Sequence, residues 1–539
     1  MNESFINKEN RMKYVRRIVL LVLVSTAIVG CNKDLLETLP NDRLSTGLYW
    51  KTEQDAILAS NAIYSSINTN GAERFFSLDG MSDIAHSASN PGSANQVILL
   101  GKYDALNSRV LSEWTNAYAG IRAANTFLLK VDGVTSLNPA TIARLKAEVR
   151  ALRAYHYLSL VSFFGDVPLV TTEITIEESK ALTRQPVAQV YDFIVKEFTD
   201  AAAALPNTQA DKGRFTKGAA LGFKARAQLW AGRYADAAVS AKQVMDLNVY
   251  SIYPSYEKLF TYAAENNSEV LFDIQFAKDT YRNNIFYLQG PYSQLSSEGR
   301  YVPNTRLVDA YQMANGKYIT DPTSGFNPRD PYINRDLRLK YSVFLPGDVL
   351  PDGKIMNSRP GSGTADAVGS TFKATNTGFY VEKYINKEDL TSAQNGGVNI
   401  ILMRLPEILL TYAEAKIELN QIDQSVVDAI NRIRQRPDVN MPAVTIGSQT
   451  EMRTLVRNER LVELSFEGLR LFDIRRWKIA ENVMPGKVYG LSYIDNAGTL
   501  KIVEAIGWVQ LFDKSRDYLW PIPQNEREVN RNLTQNPGW

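Results

Sequence analysis

The chain has 539 residues, with 60 Lys and Arg against 58 Asp and Glu, so its formal net charge is +2. This balance provides no basic surface and argues against a nucleic-acid-binding protein. One cysteine and two histidines, His86 and His156, argue against a Cys/His zinc site, a cysteine nucleophile and redox chemistry.

The first predicted element is a secretory signal peptide over residues 1–30. A basic cluster at residues 13–17 precedes an uncharged apolar run, residues 18–30, that is too short to span a bilayer. The run ends in IVGC, which resembles a bacterial lipobox, so Cys31 is the predicted lipid attachment point. An ordinary signal peptide or a transmembrane anchor is the alternative reading. Residues 1–11 fit no signal architecture, which favours a translation start at Met12.

Residues 31–48 read as a polar, lipidated tether, and residues 49–539 as a single domain. Thr52 and Asp55 form a predicted capping box, and Asn138 followed by Pro139 marks another helix start. Residues 69–101, rich in Gly, Ser and Asn, read as a long loop. The spacing of apolar residues predicts helices from 52, at 109–130, 139–164, 186–204, 217–231 and 234–247.

Two helical hairpins are predicted, at residues 217–247 and 404–435. In the first, GRYADAA at residues 232–238 resembles the turn of a tetratricopeptide repeat. Residues 265–400 read as long loops with a few short strands such as EVLFDIQF, and loops of this length are usually functional. Further helices are predicted at 403–420, 422–436, 449–466 and 468–482, before an irregular C-terminus packed on the core.

Four stretches resemble the SusD/RagB family of outer-membrane nutrient-binding lipoproteins. They are AEVRALRAYHYLSLVSFFGDVPLV, GRFTKGAALGFKARAQLWAGRYADA, RLPEILLTYAEAKIELN and ERLVELSFEGLRLFDIRRW, followed by LWPIPQNE and QNPGW near the C-terminus. All occur in order behind the lipobox, and the resemblance covers the whole chain after Cys31.

The resemblance implies a mostly α-helical fold, built on tetratricopeptide-like hairpins with a loop-rich binding face and a few short strands. It implies a protein anchored by lipid to the outer membrane and facing the cell exterior. It also implies a partner, a TonB-dependent barrel transporter of the SusC type, to which captured ligand is delivered. Relatives bind glycans or peptides without cleaving them, so oligosaccharide is the expected ligand and peptide the alternative.

The motif residues themselves read as structural. His156 lies in a helix that is apolar on most sides, which is typical of a buried core histidine. The spacing of the charged residues in the fourth stretch suits ion pairs at i,i+3 or i,i+4 within a helix; these residues are Glu463, Glu467, Arg470 and Arg475.

Ligand-binding residues are therefore expected in the loops, where aromatic rings stack on sugar C–H faces and polar side chains bind hydroxyl groups. Two stretches carry these residue types. The candidates are Arg74, Phe75, Phe76, Asp79, Asp83 and His86 in the first, and Tyr281, Arg282, Asn283, Tyr287, Tyr292 and Tyr301 in the second. For each of them, an aromatic or polar anchor of the loop on the core is the alternative.

Two other functions compete with nutrient binding. A glycosidase needs two carboxylates at a fixed separation, and scattered acids give no such signal. A pure helical-repeat scaffold would use its surface to assemble proteins. No cofactor or metal is predicted, since residues 321–330, DPTSGFNPRD, lack the spacing of an EF-hand.

Overall fold

The computed structural model describes residues 50–68, 73–87, 92–136 and 138–539, apart from the side chains of residues 506–508. The signal peptide, the start at Met12, the lipidation of Cys31 and the tether at residues 31–48 lie outside the described residues and stay predictions.

The described chain is mostly helical, as predicted. Its α-helices are α1 Glu53–Ser66, α2 Glu73–Gly80, α3 Ala94–Leu99, α4 Ser108–Lys130, α5 Pro139–Phe164, α6 Ile176–Lys180, α7 Val187–Ala204, α8 Lys217–Trp230, α9 Tyr234–Asp246, α10 Ile285–Gln289, α11 Thr305–Ala310, α12 Arg338–Ser342, α13 Leu405–Glu418, α14 Gln424–Arg434, α15 Gln449–Glu463, α16 Arg470–Arg476, α17 Ala480–Val483 and α18 Gln524–Val529.

The strands form short antiparallel pairs: β1 with β3, β2 with β6, β4 with β5 and β7 with β8. Their bounds are β1 Ala85–Ser87, β2 Val270–Ile274, β3 Tyr301–Pro303, β4 Val343–Phe344, β5 Tyr380–Val381, β6 Ile400–Arg404, β7 Gly486–Ile494 and β8 Leu500–Gln510. The first three pairs join segments that are far apart in the chain, whereas β7 and β8 form a hairpin.

The long helices pack as hairpins, which confirms the predicted scaffold. Neighbours in contact are α4 with α5, α7 with α8, α8 with α9, and α13 with α14, while α9 packs on α13 to join the two predicted hairpins. The α8–α9 turn needs Gly232, whose φ of 72° is a left-handed conformation that side chains disfavour. The capping box of Thr52 with Asp55 and the Asn138 cap before Pro139 are present as predicted.

Several predicted boundaries were wrong. Residues 69–101 contain α2, β1 and α3 where a loop was expected. The predicted helix at 468–482 divides into α16 and α17, and the hairpin of β7 and β8 was missed. The first residues of the predicted helix at 403–420 belong to strand β6. The C-terminus packs on the core as expected, with Trp520 fully buried, and it contains α18.

The charged residues of the fourth motif stretch form a buried network with distant residues. Glu463 contacts Arg404 at 2.6 Å, Arg338 at 3.0 Å and Arg436 at 3.1 Å. The predicted helical i,i+4 pairing of Glu463 is therefore wrong, because its partners come from other elements. We call this group the arginine–glutamate network; its side chains are at most 5% exposed and belong to Glu269, Arg338, Lys383, Arg404, Arg436, Glu459, Glu463 and Glu467.

The other motif residues are also structural. Arg470 pairs with Asp83 at 2.8 Å, and the Arg475 guanidinium lies over the Trp520 ring at 5.8 Å. His156 is 4% exposed, as predicted for a core histidine, and its Nε2 lies 2.7 Å from the Ser66 hydroxyl.

Candidate functional site

The first predicted binding stretch lies inside the protein. Phe75 and Phe76 are 6% and 1% exposed and pack in the core from α2. Arg74 donates from Nε and Nη2 to the carboxylate of Glu113 at 3.0 and 3.1 Å. These residues hold α2 against α4, so in this structure they are closed to a ligand.

Asp79, Asp83 and His86 are buried as well. The Asp79 carboxylate accepts the backbone N–H groups of Gly468 and Arg470, each at 3.1 Å, and burial raises its pKa to about 7. Asp83 pairs with the Arg470 side chain. Burial lowers the pKa of His86, in strand β1, to about 4. All six residues predicted in this stretch therefore have structural positions, which corrects their assignment to a binding loop.

The second predicted stretch is divided between core and surface. Asn283 is 5% exposed and donates from Nδ2 to the Val398 carbonyl at 2.8 Å. Tyr301 is 1% exposed and donates from its hydroxyl to Glu73 Oε1 at 2.8 Å. These two residues are anchors of the segment. The remaining candidates, exposed or half-buried, are Tyr281, Arg282, Tyr287 and Tyr292.

A cluster of charged side chains surrounds Tyr287. The Tyr287 hydroxyl donates to Glu298 Oε1 at 3.0 Å, and Lys373 Nζ lies 3.4 Å from the same hydroxyl. Arg300 bridges Glu298 and Glu73, at 2.9 Å from each carboxylate. We call these five residues the charged cluster.

Glu298 is the carboxylate at the centre of the charged cluster. Burial alone would raise the pKa of Glu298, but Arg300, Tyr287 and Lys373 together hold it below its usual value. Glu298 is therefore an ionised hydrogen-bond acceptor, and it is a poor proton donor for acid catalysis. The two cations beside it supply donors.

An aromatic pair lies on the same segment of chain. The rings of Phe276 and Tyr281 stack with centroids 5.5 Å apart and planes 19° apart. Tyr281 is 48% exposed, and its hydroxyl accepts from Asn68 Nδ2 at 3.2 Å. Next to it, the exposed Arg282 bonds Asn395. We call Phe276 and Tyr281 the aromatic pair.

Phe372 is an exposed aromatic residue that the sequence reasoning missed. Its side chain is 72% exposed, and the Lys373 ammonium lies 6.0 Å from its ring. The only signal for it in the sequence is an aromatic residue after GST in the loop-rich region. The charged cluster, the aromatic pair and Phe372 together are called the loop face below.

The loop face combines flat apolar rings with fixed donors and acceptors. A sugar ring presents an apolar C–H face and a rim of hydroxyl groups. Exposed aromatic rings bury the first at low entropic cost, and ionised groups form the stronger hydrogen bonds with the second. This arrangement can therefore hold a polyhydroxylated ligand without a metal or cofactor.

A large cavity lies elsewhere, among the helices. It has a volume of about 1000 Å³ between α1, α4, α6 and α18, and no motif in the sequence predicted it. Trp50, Trp114 and Phe127 line it together with aliphatic side chains and with charged groups that include Arg122 and Glu173, and Trp50 packs edge-on against Phe127 at 5.6 Å.

The described residues hold neither a metal-ligand cluster nor a membrane-spanning helix. Residues 50–68, 73–87, 92–136 and 138–539 contain no group of three or more His, Cys, Asp or Glu side chains that could hold a metal ion. Within the same ranges, every helix is too short or too polar to cross a bilayer.

Comparison with known proteins gives one family over nearly the whole chain. The sequence model of the SusD family matches residues 268–539, about half of the chain. A second model, described as "Starch-binding associating with outer membrane", matches residues 37–229.

Individual relatives agree with this. SusD-like protein P2 of Formosa agariphila is 26% identical over 97% of this chain and 99% of its own length. The starch-binding protein SusD of Bacteroides thetaiotaomicron is 23% identical over 79% of this chain and 78% of its own length. The crystal structure of a SusD-like carbohydrate-binding protein from Bacteroides fragilis, 28% identical, superposes with a TM-score of 0.83 over 90% of this chain and 99% of that one. The chain therefore belongs to the SusD family.

Proposed function

We propose that this protein is a cell-surface nutrient-binding lipoprotein that captures a neutral oligosaccharide on its loop face. The observation that carries the proposal is the exposed pairing of aromatic rings with an ionised hydrogen-bonding cluster. A near-zero net charge of +2 fits a neutral ligand better than a polyanion. The names of the relatives support the same ligand class, since one is a starch-binding and another a carbohydrate-binding protein.

The proposed location is the outer face of the outer membrane. The family description names an association with the outer membrane, and Cys31 would supply the lipid anchor. We propose further that captured ligand passes to a TonB-dependent transporter of the SusC type, as the family resemblance implies. These steps require binding without turnover, and a Glu298 held ionised by its neighbours suits binding better than acid catalysis.

Titration calorimetry of the mature chain tests the proposal. The protein, with Ser in place of Cys31 and without residues 1–30, is titrated with neutral oligosaccharides and with peptides, and the sugars are assayed afterwards for cleavage. Binding of one glycan class without cleavage supports the proposal. Binding of peptides alone selects the alternative ligand, and cleavage refutes the non-enzymatic role.

A pair of variants locates the site. Phe372→Ala removes an exposed ring and is expected to weaken binding about tenfold, equal to about 1.4 kcal/mol. Leu129→Ala is the control, because Leu129 is also exposed, at 59%. It lies near the C-terminal end of α4, whereas Arg109 and Glu113, near the N-terminal end, are the residues of α4 that contact α2 and so lie nearer to Glu73 of the charged cluster. Equal binding by the two variants would remove Phe372 from the site.

A further inference from the structure

A second, polar cleft lies beside strand β2. It has a volume of about 210 Å³, with β2 as its floor. The loop at residues 207–216 and residues 266–268 form its walls, together with Tyr250 from the segment after α9. The lining of the cleft is mostly amide, hydroxyl and charged side chains.

A buried carboxylate lies in this cleft. Asp273 is 5% exposed, and its Oδ1 accepts from Gln275 Nε2 at 2.7 Å. The backbone N–H of Asp273 itself also hydrogen-bonds the carboxylate. The charge that stabilises the ionised form is that of Lys212, which is exposed at the cleft wall and has no ion-pair partner in the described chain. Charged groups form the stronger hydrogen bonds, so this carboxylate and the Lys212 ammonium are suited to bind hydroxyl groups.

The other polar groups are held in place by one another. Gln275 Nε2 also donates to Asn266 Oδ1 at 3.2 Å, and the Tyr250 hydroxyl lies 3.0 Å from Thr216 Oγ1. The cleft therefore presents an acceptor at Asp273, a donor at Lys212 and the ring of Tyr250. This is the combination that a single sugar ring needs.

The cleft adjoins the aromatic pair of the loop face. Phe276 follows Asp273 by three residues, about 10 Å along an extended chain. Gly213 packs so closely on Gln275 that a Cβ there would lie 2.6 Å from Gln275 Cγ, so the 207–216 loop reaches the segment that leads to the aromatic pair. Along the chain, Gln275 thus lies between the cleft residue Asp273 and the Phe276–Tyr281 pair.

We propose that this cleft is a second saccharide subsite, which holds one sugar residue of an oligosaccharide whose neighbouring residues lie on the aromatic pair. The inference rests on the proposed function, because it concerns the same ligand. It adds a requirement for length: the ligand is a chain of several sugars that spans both places.

A paramagnetic label at the cleft tests this directly. The mature chain with Cys31→Ser has no cysteine, so a nitroxide on Thr208→Cys reports on the cleft and one on Ser370→Cys reports on the loop face. The probes are the methyl glycosides of glucose, galactose, mannose and xylose, followed by ¹H relaxation. We expect the Thr208 label to broaden at least one of them, and reduction of the nitroxide to abolish the effect.

Variants identify the groups responsible. Asp273→Asn keeps the shape and the bond to Gln275, and Lys212→Met removes the exposed donor; each is expected to reduce the broadening at least threefold. Lys258→Met, at an exposed lysine outside the cleft, is the control and should leave it unchanged. Unchanged broadening in both cleft variants would overturn the inference.

The two labels separate the possible outcomes. Broadening from the Ser370 label alone would refute the cleft subsite and retain the proposed function. Broadening from neither label would refute both for these sugars. Calorimetric binding of the oligosaccharide that is unchanged after a bulky thiol reagent is attached to the Thr208→Cys variant would also refute the subsite.

Discussion

Replacing Arg404 by Met should destabilise the protein far more than removing a surface cation. The Arg404 guanidinium is fully buried and contacts Glu463 at 2.6 Å, Glu467 at 2.7 Å and Glu269 at 2.9 Å. Removing one partner of a buried ion pair typically costs about 3–5 kcal/mol, because the other charge is left uncompensated. Lys383 and the remaining arginines still contact these glutamates, so we take the lower end, about 3 kcal/mol.

The expected change in melting temperature follows from the size of the domain. An unfolding entropy of about 2.1 cal/mol/K per residue, over the ~490 residues from Trp50 to Trp539, gives about 1 kcal/mol/K. Arg404→Met should therefore lower Tm by about 3 °C. Lys196→Met is the matched control, since its pair with Asp200 is 70% and 38% exposed and such helical pairs contribute about 0.3–0.5 kcal/mol.

Calorimetric melting of the two variants at one scan rate, in low and in high salt, makes the comparison. Salt should leave the effect of Arg404→Met unchanged, because a buried pair is poorly screened. The loss in Tm caused by Arg404→Met should also become smaller in acid. The pKa values of Glu463 and Glu467 are lowered despite burial because their cationic partners outweigh it, so the stability they give is present above pH ~4.3 and is lost as the pH falls below it. A Tm loss below 1 °C, or one abolished by salt, would refute the reasoning.

Three further predictions concern single positions. Tyr281→Ala should weaken oligosaccharide binding about tenfold in calorimetry with an unchanged Tm, because the ring is 48% exposed and stacks on Phe276; a fall in Tm would instead assign it an anchoring role. Asp79→Asn should flatten the pH dependence of Tm. Because the pKa of Asp79 is raised to about 7 in the folded state, the unsubstituted protein should lose about 3 kcal/mol of stability as the pH rises from 5 to 8. Identical pH profiles of Tm for the two proteins would contradict the raised pKa. Gly120→Ala should lower Tm by about 1–3 °C, because the new Cβ would lie 2.2 Å from His156 Nε2. In a protein that already carries His156→Ala, the same substitution should leave Tm unchanged.

Helices with local start signals were predictable from the sequence. The capping box at Thr52 and the Asn138–Pro139 start depend on residues within four positions of one another. Local hydrogen bonds of this kind are visible in the order of residues alone. The long helices also contain enough apolar residues for the helical spacing of about 3.6 residues to be recognised in the sequence.

Short elements stabilised by distant partners were not predictable. Helix α2 has eight residues, too few to establish a period, and its residue Arg74 is paired with Glu113, 39 positions away. Asp83 is paired with Arg470 across 387 positions. Without these partners, a stretch of Phe, Arg and Asp has the composition of a binding loop, which is why six core residues were assigned to the site.

The hairpin of β7 and β8 was within reach of the sequence. Residues 486–510 alternate apolar and polar side chains over part of each strand, and the turn between them contains Asp495, Asn496 and Gly498, with φ of 77° at Gly498. Turn residues between two alternating runs are a hairpin signal.

The positions that identify the family and those proposed to bind ligand have different physical roles. Glu463 and Arg404 belong to a buried network that joins Glu269, just before β2, to β6, α12 and α15, so a change there lowers the stability of the fold. Phe372 and Tyr281 are largely exposed and few of their contacts are buried, so substitutions there cost little stability. A scaffold of this kind can exchange its binding side chains while it keeps its motifs. The motifs therefore predict fold and family membership, whereas the ligand has to be established from the loop face itself.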